Sequence, residues 1–368
     1  MMKASSELAL RIRVSADEAD AIGLLDDDWD ELVRAQARPN PTMLGGWIAA
    51  MSEPEFGRLT VVRLERDGRL VAAAAVSIFS PVGPLGPRFA RWPGAPTSWF
   101  DPDILVGPED IGVGAALVRE ILRHVHALYV PCVADSALAR TLRDWNSRAV
   151  HRSPPSEGWI APIPLPRDSY VRGHIAKDIR QAKRKGAVIE MRVATSDAEI
   201  DSALERLFAV HHGHWSARQD FLPRFSATED LRARNRRAVL ALAKTQESFI
   251  VEVLENGEVA AAGIGLLAGQ GLAYHTTAAR RGTSLREPGH ACALEVVDQA
   301  AARGATVVDL GPGAAGPSSI KARIGANGVP IHPVMCAQSA ALLRACQTLV
   351  TARERSRQAV RLLRGSRT

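Results

Sequence analysis

The chain has 368 residues, 46% hydrophobic and 23% charged, with 46 basic and 40 acidic side chains for a net charge of +6. That length favours two or three domains with cores of their own, and the mix excludes a disordered or collagen-like chain. Residues 338–368 carry seven arginines and one glutamate, which is the whole net charge, so the body is neutral and nucleic acid is an unlikely partner.

Cys132, Cys292, Cys336 and Cys346 stand without any C-x-x-C spacing, which predicts free thiols and no metal site. The first 14 residues are charged and lack the apolar core of a secretory leader, and no run of 18 apolar residues occurs. A cytoplasmic protein is expected.

In chain order, residues 20–52 read as helical, started by Asp26-Asp27-Asp28, with Trp29, Leu32 and Val33 on one face and Pro39 and Pro41 as interruptions. Residues 61–73 are two β-rich runs about Asp67-Gly68, a dipeptide that tolerates the positive φ of a tight hairpin turn. A Pro/Gly-rich loop over 81–96, a strand near 98–106, a helix from Gly112 and a strand at 128–133 follow. The proline-rich stretch 152–166 predicts the boundary between two halves.

The second half is predicted to open with a basic amphipathic helix (169–185), a strand (188–193), a helix (196–215) and a second basic helix (228–244). A hairpin (248–267) turns at Asn256-Gly257 and extends into a third strand (271–278). A helix from Gly289, a strand at 306–310, a Gly/Pro loop, a strand at 331–336 and a terminal helix over 340–363 complete the chain.

The first hairpin returns 189 positions later, and the glycine-opened helix and strand that follow it return at an offset of about 177. The fold class expected is therefore α/β (mixed α+β), with two cores, each a mixed antiparallel and parallel sheet flanked by helices. The expected domains are 1–160, 161–338 and a basic terminal helix, 339–368. Packing on the body, dimerisation or peripheral membrane contact are the readings of that helix.

Arg286-Glu287-Pro288-Gly289-His290-Ala291 fits R/Q-x-x-G-x-G/A and precedes a helix, where glycine admits close backbone approach and an arginine adds a charge-assisted contact, so a pyrophosphate cradle is expected. The equivalent first-half loop, Glu109-Asp110-Ile111-Gly112-Val113-Gly114, places acids there. At about 5 Å and an effective dielectric near 20 each like-charge pair costs roughly 3 kcal/mol, more than the ~0.3–1 kcal/mol a helix dipole returns. One cradle, in the second half, is expected.

Together the hairpin, third strand, R-x-x-G-x-A loop, helix and strand resemble the core of the GNAT acyltransferases. The duplication, with Leu207-Phe208-Ala209-Val210-His211 running to Trp215, Glu287-Pro288-Gly289, and Val308-Asp309-Leu310-Gly311 running to Lys321, is similar to the tandem branch containing CelD-like acetyltransferases and Fem-type aminoacyl transferases. The sequence departs from that branch at Ile320, where a tyrosine commonly stands. The resemblance implies transfer of an acyl group from acetyl-CoA or a longer acyl-CoA to an amine of a small-molecule, sugar or lipid precursor of the cell envelope. It also implies that Tyr274, Thr276, Arg286, Gly289, His290 and Ala291 meet the cofactor.

Freeing an amine of pKa ~10.4 at neutral pH costs about 4.6 kcal/mol, so a base is required, and a carbonyl that gains charge needs N–H donors. Backbone groups of strand 271–277 suit the second task. For the first, His211 is the leading candidate. His275 and Tyr274 are adjacent on a strand, so one of them faces the cleft. Asp309 at a strand end and Lys321 complete the catalytic candidates. The alternatives are Fem-like transfer from aminoacyl-tRNA and a non-catalytic scaffold with both cores decayed.

Overall fold

A computed structural model describes residues 10–53, 57–83, 85–93, 102–145, 147–166, 169–215, 228–312 and 320–365. The chain begins with β1 (Arg11–Val14), α1 (Glu18–Gly23) and α2 (Asp27–Arg34); the carboxylates of Asp17 and Asp26 cap the two helices by accepting from the N–H groups of Asp20 and Trp29. The prolines do interrupt: a 3-10 turn at Pro41–Met43 leads into α3 (Gly45–Met51), so 20–52 is a set of short helices.

The first hairpin is β2 (Arg58–Arg66) and β3 (Arg69–Phe79), followed by β4 (Phe89–Arg91), β5 (Leu105–Val106), α4 (Gly114–His124), β6 (Ala127–Val133) and α5 (Ala137–Thr141). Of the strand expected over 98–106, residues 98–101 lie outside the described residues, and only β5 is strand in the rest. The stretch 152–166, expected as the boundary between halves, begins at the end of β7 (Val150–Arg152) and holds β8 (Ser156–Pro162).

The second half runs α6 (Tyr170–Arg184), β9 (Ile189–Ala194), α7 (Asp197–Trp215), α8 (Glu229–Ala243), β10 (Ser248–Glu255), β11 (Glu258–Ala268), β12 (Gly271–Ala279), α9 (Pro288–Ala302), β13 (Val307–Pro312), α10 (Ile320–Arg323), β14 (Asn327–Ala337) and α11 (Ala340–Gly365). No helix among the described residues is long and apolar enough to cross a membrane.

The duplication holds down to single residues. Asp67 and Gly68 have φ of 53° and 74°, Asn256 and Gly257 of 54° and 83°. Both hairpins carry a register shift at the same repeat position, Leu64/Glu65 and Val253/Leu254. The third strand differs. In the second half β12 runs unbroken along β11, whereas in the first its counterpart is split into β4 and β5: fifteen positions separate Arg91 from Val106 where six separate Ala273 from Ala279. This insertion accounts for most of the change in repeat offset.

All strands join one sheet, ordered β1-β2-β3-β4-β6-β14-β8-β13-β12-β11-β10-β9, with β5 on β3 and β7 on β14. Each half gives its last strand to the other. β14 pairs with β6 through Ile331–Val133 to Ala337–Ala127, and β8 pairs with β13 through Val307–Pro162 to Pro312–Gly158. β14 and β8 also pair with each other. The expected boundary at 160/161 falls inside β8.

On one face α3 and α8 meet across the halves, with Gly46 close enough to Ala241 that a Cβ there would sit 3.3 Å from its methyl. Residues of α2, α3, α7, α8 and both hairpins form one buried cluster, so the halves share a core. Arg34 and Glu247 pair across it at 2.7 Å. Leu343 and Cys346 of α11 are buried against Phe89 and Met335, which docks the start of that helix on the body; its side chains beyond residue 352 lie outside the described residues.

The repeat also inverts a buried charge. Arg63 is held by Asp26 at 2.6 Å, and its counterpart Glu252, with no exposed surface, is held by Arg192 and Arg206 at 2.6 Å each. Removing both partners strands a carboxylate in the core. The Arg192→Ala/Arg206→Ala pair is expected to lose about 3–5 kcal/mol in urea unfolding, against under ~1 kcal/mol for the exposed Arg13–Asp20 pair.

Candidate active site

β12 and β13 run parallel only through Gly271–Val307, Leu272–Val308 and Ala273–Asp309. Immediately beyond, β12 bulges: Gly265 faces Tyr274 and Ile264 faces Thr276, leaving His275 as the extra residue. The strands therefore part where Asp309 stands, and N–H groups of β12 past Ala273 have no paired residue on β13.

Beside this parting point is a cavity of about 300 Å³ between the halves. Asp309 and Ala273 line it from the second half, and Arg38, Asp103, Asp135 and Arg140 from the first. The 36–41 loop can lie against β12 only because Gly271 lacks a side chain; a Cβ there would meet the Pro39 carbonyl oxygen at 2.2 Å. Asp103 is fixed by accepting from the N–H groups of Ile104 and Leu138, each at 2.9 Å.

Asp309 accepts from the Gly311 N–H at 2.7 Å. Burial pushes its carboxyl up to about 6, against the pull of that N–H and of the Lys321 and Arg38 charges. Lys321 donates to the carbonyls of Gly311 at 3.0 Å and Pro312 at 2.7 Å, and burial lowers its own pKa. It pins the start of the loop after β13 beside Asp309. Residues 313–319 of the Gly/Pro loop lie outside the described residues.

The other catalytic candidates lie deeper. His275 is buried edge-on against Trp47, ring centroids 5.0 Å apart, and burial lowers its pKa to about 3, which keeps it neutral. Tyr274 takes the opposite face, among residues of α9, so the pair alternates as expected. His211 is buried on α7, one turn beyond Leu207 and Phe208, in the layer that packs on β12. The side chains of His214 and Trp215 lie outside the described residues. Thr276 is half-buried on β12 beyond its parting from β13, still paired with Ile264 of β11.

At the start of α9, Asp178 of α6 accepts from the N–H of Arg286 at 2.9 Å and of Glu287 at 3.2 Å. Arg172 secures α6 there through Asp298, at 2.7 Å. Glu287 is bound by Arg323, by His290 at 2.9 Å and by His174 at 3.0 Å; burial raises its carboxyl, but Arg323 and His290 outweigh that and hold it below the usual range. Arg286 extends from the surface, and a Cβ on Gly289 would meet only Ala279, at 3.8 Å, so the backbone there is approachable. Ala291 is buried and His290 half-buried.

The first-half loop corrects the repulsion argument for Asp110 alone, and Glu109, at the position of Arg286, is exposed as that argument took it. Asp110 is buried and paired with Arg66 and with Arg69 at 3.1 Å, arginines that flank the hairpin turn, so its charge is neutralised where the argument took it as bare.

The order of hairpin, third strand, loop, helix and strand on which the resemblance rests is present as β10, β11, β12, α9 and β13. Residues 169–316 match the acetyltransferase (GNAT) domain. No curated protein matches the chain. Among solved structures, FemX superposes with a TM-score of 0.58 at 13% identity, covering 83% of this chain and 94% of that one. The C-terminal domain of a putative lysylphosphatidylglycerol synthetase from Agrobacterium fabrum gives 0.57 at 11% identity, covering 90% and 96%. The matched segment is thus one part of a mixed α/β fold that extends over nearly the full length of these structures. Asp103, Arg38, Arg140 and Asp178 were not found from sequence, because each acquires its place only when two distant segments meet.

Proposed function

We propose that the protein transfers an acyl group from coenzyme A, acetyl in the simplest case, to an amine held in the cavity between its halves. The observation that carries this reading is Asp309, a carboxyl near pKa 6 facing that cavity at the point where β12 and β13 part. A base poised close to neutral pH is the group an ammonium acceptor requires.

The residues around Gly289 fit a phosphate: the backbone is open there and Arg286 stands free to reach it. Asp178 already holds two neighbouring N–H groups, so contact falls to Gly289 and the Arg286 side chain. When bound, the donor supplies a thioester carbon. The bulged N–H groups of β12 are placed to donate to its carbonyl oxygen, and Asp309 takes the proton from the ammonium nitrogen. Asp309 releases that first proton to solvent, the freed amine forms the C–N bond, and as the C–S bond breaks the second proton lost from the nitrogen passes to the departing thiolate, leaving the amide and the free thiol.

Isothermal titration with acetyl-CoA and longer acyl-CoAs, joined to release of free thiol in the presence of amines, tests this. Arg286→Glu is expected to weaken acyl-CoA binding at least tenfold; equal affinity would remove the phosphate role of this loop.

Asp178 also favours a second reading, in which the donor brings no diphosphate to α9, as in Fem-like transfer from aminoacyl-tRNA. Salt-dependent tRNA binding with no response to acyl-CoA would select it.

A further inference from the structure

We propose that the acceptor is an anionic amine, carrying a phosphate or diphosphate that lies in a cleft of the first half while its amine enters the Asp309 cavity. This rests on the acyl-transfer reading and names its substrate class. The cleft, about 700 Å³, lies between α4, α5 and the segment after α2. Gln36, Ala37, Ala137 and Arg140 line both it and the cavity at Asp309, so the two adjoin across these residues. A ligand can therefore span them.

The charge of the cleft is one-sided. Arg119, Arg140 and Arg143 face it together with one carboxylate, Asp144. Elsewhere the arginines near the core are drawn to acids: Arg63 to Asp26, Arg66 and Arg69 to Asp110, Arg172 to Asp298, Arg206 to Glu252. Here, among the described residues, none of the three pairs with a carboxylate. Arg140 donates to the backbone carbonyl of Asp135, and Arg119 lies 5.8 Å from the Trp145 ring. Three guanidiniums against one facing carboxylate, with Arg140 also within the field of Asp103, leave an excess of positive charge that a multiply charged anion relieves with bidentate contacts.

At the place related to this cleft by the repeat, the start of α9, Asp178 of α6 already takes the N–H groups of Arg286 and Glu287, which leaves only Gly289 and the Arg286 side chain for an anion. In the first half Gly112 has nothing within 4 Å of where its Cβ would stand, and of the two acids before it the buried one, Asp110, is neutralised while Glu109 is exposed. The duplicated fold thus presents one cradle partly taken by a carboxylate and one arginine-lined cleft, and the latter adjoins the cavity of the proposed base.

The test is titration of the full chain with inorganic pyrophosphate, followed by calorimetry and tryptophan fluorescence. Arg119→Gln/Arg143→Gln is expected to weaken pyrophosphate binding at least tenfold while leaving acetyl-CoA binding, which reports separately on the acyl-transfer reading, unchanged. A pyrophosphate isotherm insensitive to this pair, or no binding at millimolar concentration by the unaltered protein, overturns the inference whatever acetyl-CoA does. Loss in Arg286→Gln alone would place the anion at α9 and equally overturn it. Two competitors identify the source of the phosphate: displacement of pyrophosphate by soluble phosphoethanolamine assigns it to a soluble amine, and displacement only by phosphatidylethanolamine vesicles assigns it to a lipid headgroup.

Discussion

Asp309→Asn should reduce kcat by about 10²–10⁴-fold while acyl-CoA binding is preserved, because the amide keeps the hydrogen bond from Gly311 and loses only the capacity to take a proton. In the unaltered protein kcat/KM should fall as pH drops through about 6, where the carboxyl protonates. Lys321 lowers that pKa, so Lys321→Met is expected to move the acidic limb to higher pH, a displacement that loss of packing alone would not produce.

Stability should move the other way. The folded-state pKa of Asp309 exceeds that of an unfolded aspartate, so its contribution is full below about pH 4 and is lost as pH rises through about 6. At pH 7 the ionised group is a cost on the order of 1–2 kcal/mol, discounted because the cavity admits solvent. Asp309→Asn should therefore melt a few degrees higher. A variant that keeps full turnover, with or without added stability, would remove Asp309 from the chemistry.

Residues 1–168 and 169–368 expressed separately should each fail to fold as a soluble unit, and should recover a shared structure when produced together. The reason is the strand exchange: alone, the first piece leaves β6 without β14, and the second leaves β13 without β8. Each exposed edge is a row of unpaired backbone groups in the middle of a sheet, and the cluster linking α3 to α8 would be opened in both. Size-exclusion chromatography and hydrogen exchange would check it. Two independently folded monomers with protected amides would show that the crossed pairing is dispensable.

The sequence carried the local elements well where chemistry is local. Asp-Gly and Asn-Gly gave hairpins with the positive φ they tolerate, prolines broke the first helical stretch, and the long helices of the second half lie close to their expected bounds. The charge estimate at Asp110 went astray because it treated a side chain as isolated, although Arg66 and Arg69, at either end of an already recognised turn, were the signal that it is paired. The proline-rich stretch 152–166 read as a boundary between halves because prolines suppress a strand's own pattern. It is a strand because partners on both sides, β13 and β14, supply its pairing.

By itself the sequence determined that this is a duplicated α/β protein with a glycine-opened helix after a third strand, since turn chemistry and hydrophobic period act over a few residues. Only the tertiary structure decided that the halves trade their last strands, that Asp309 faces a cavity walled by both, and that Asp178 takes two N–H groups of one cradle while an arginine-lined cleft lies at the other. Burial, counter-charge and cavity depend on segments more than a hundred positions apart, and no local pattern encodes which of them will meet.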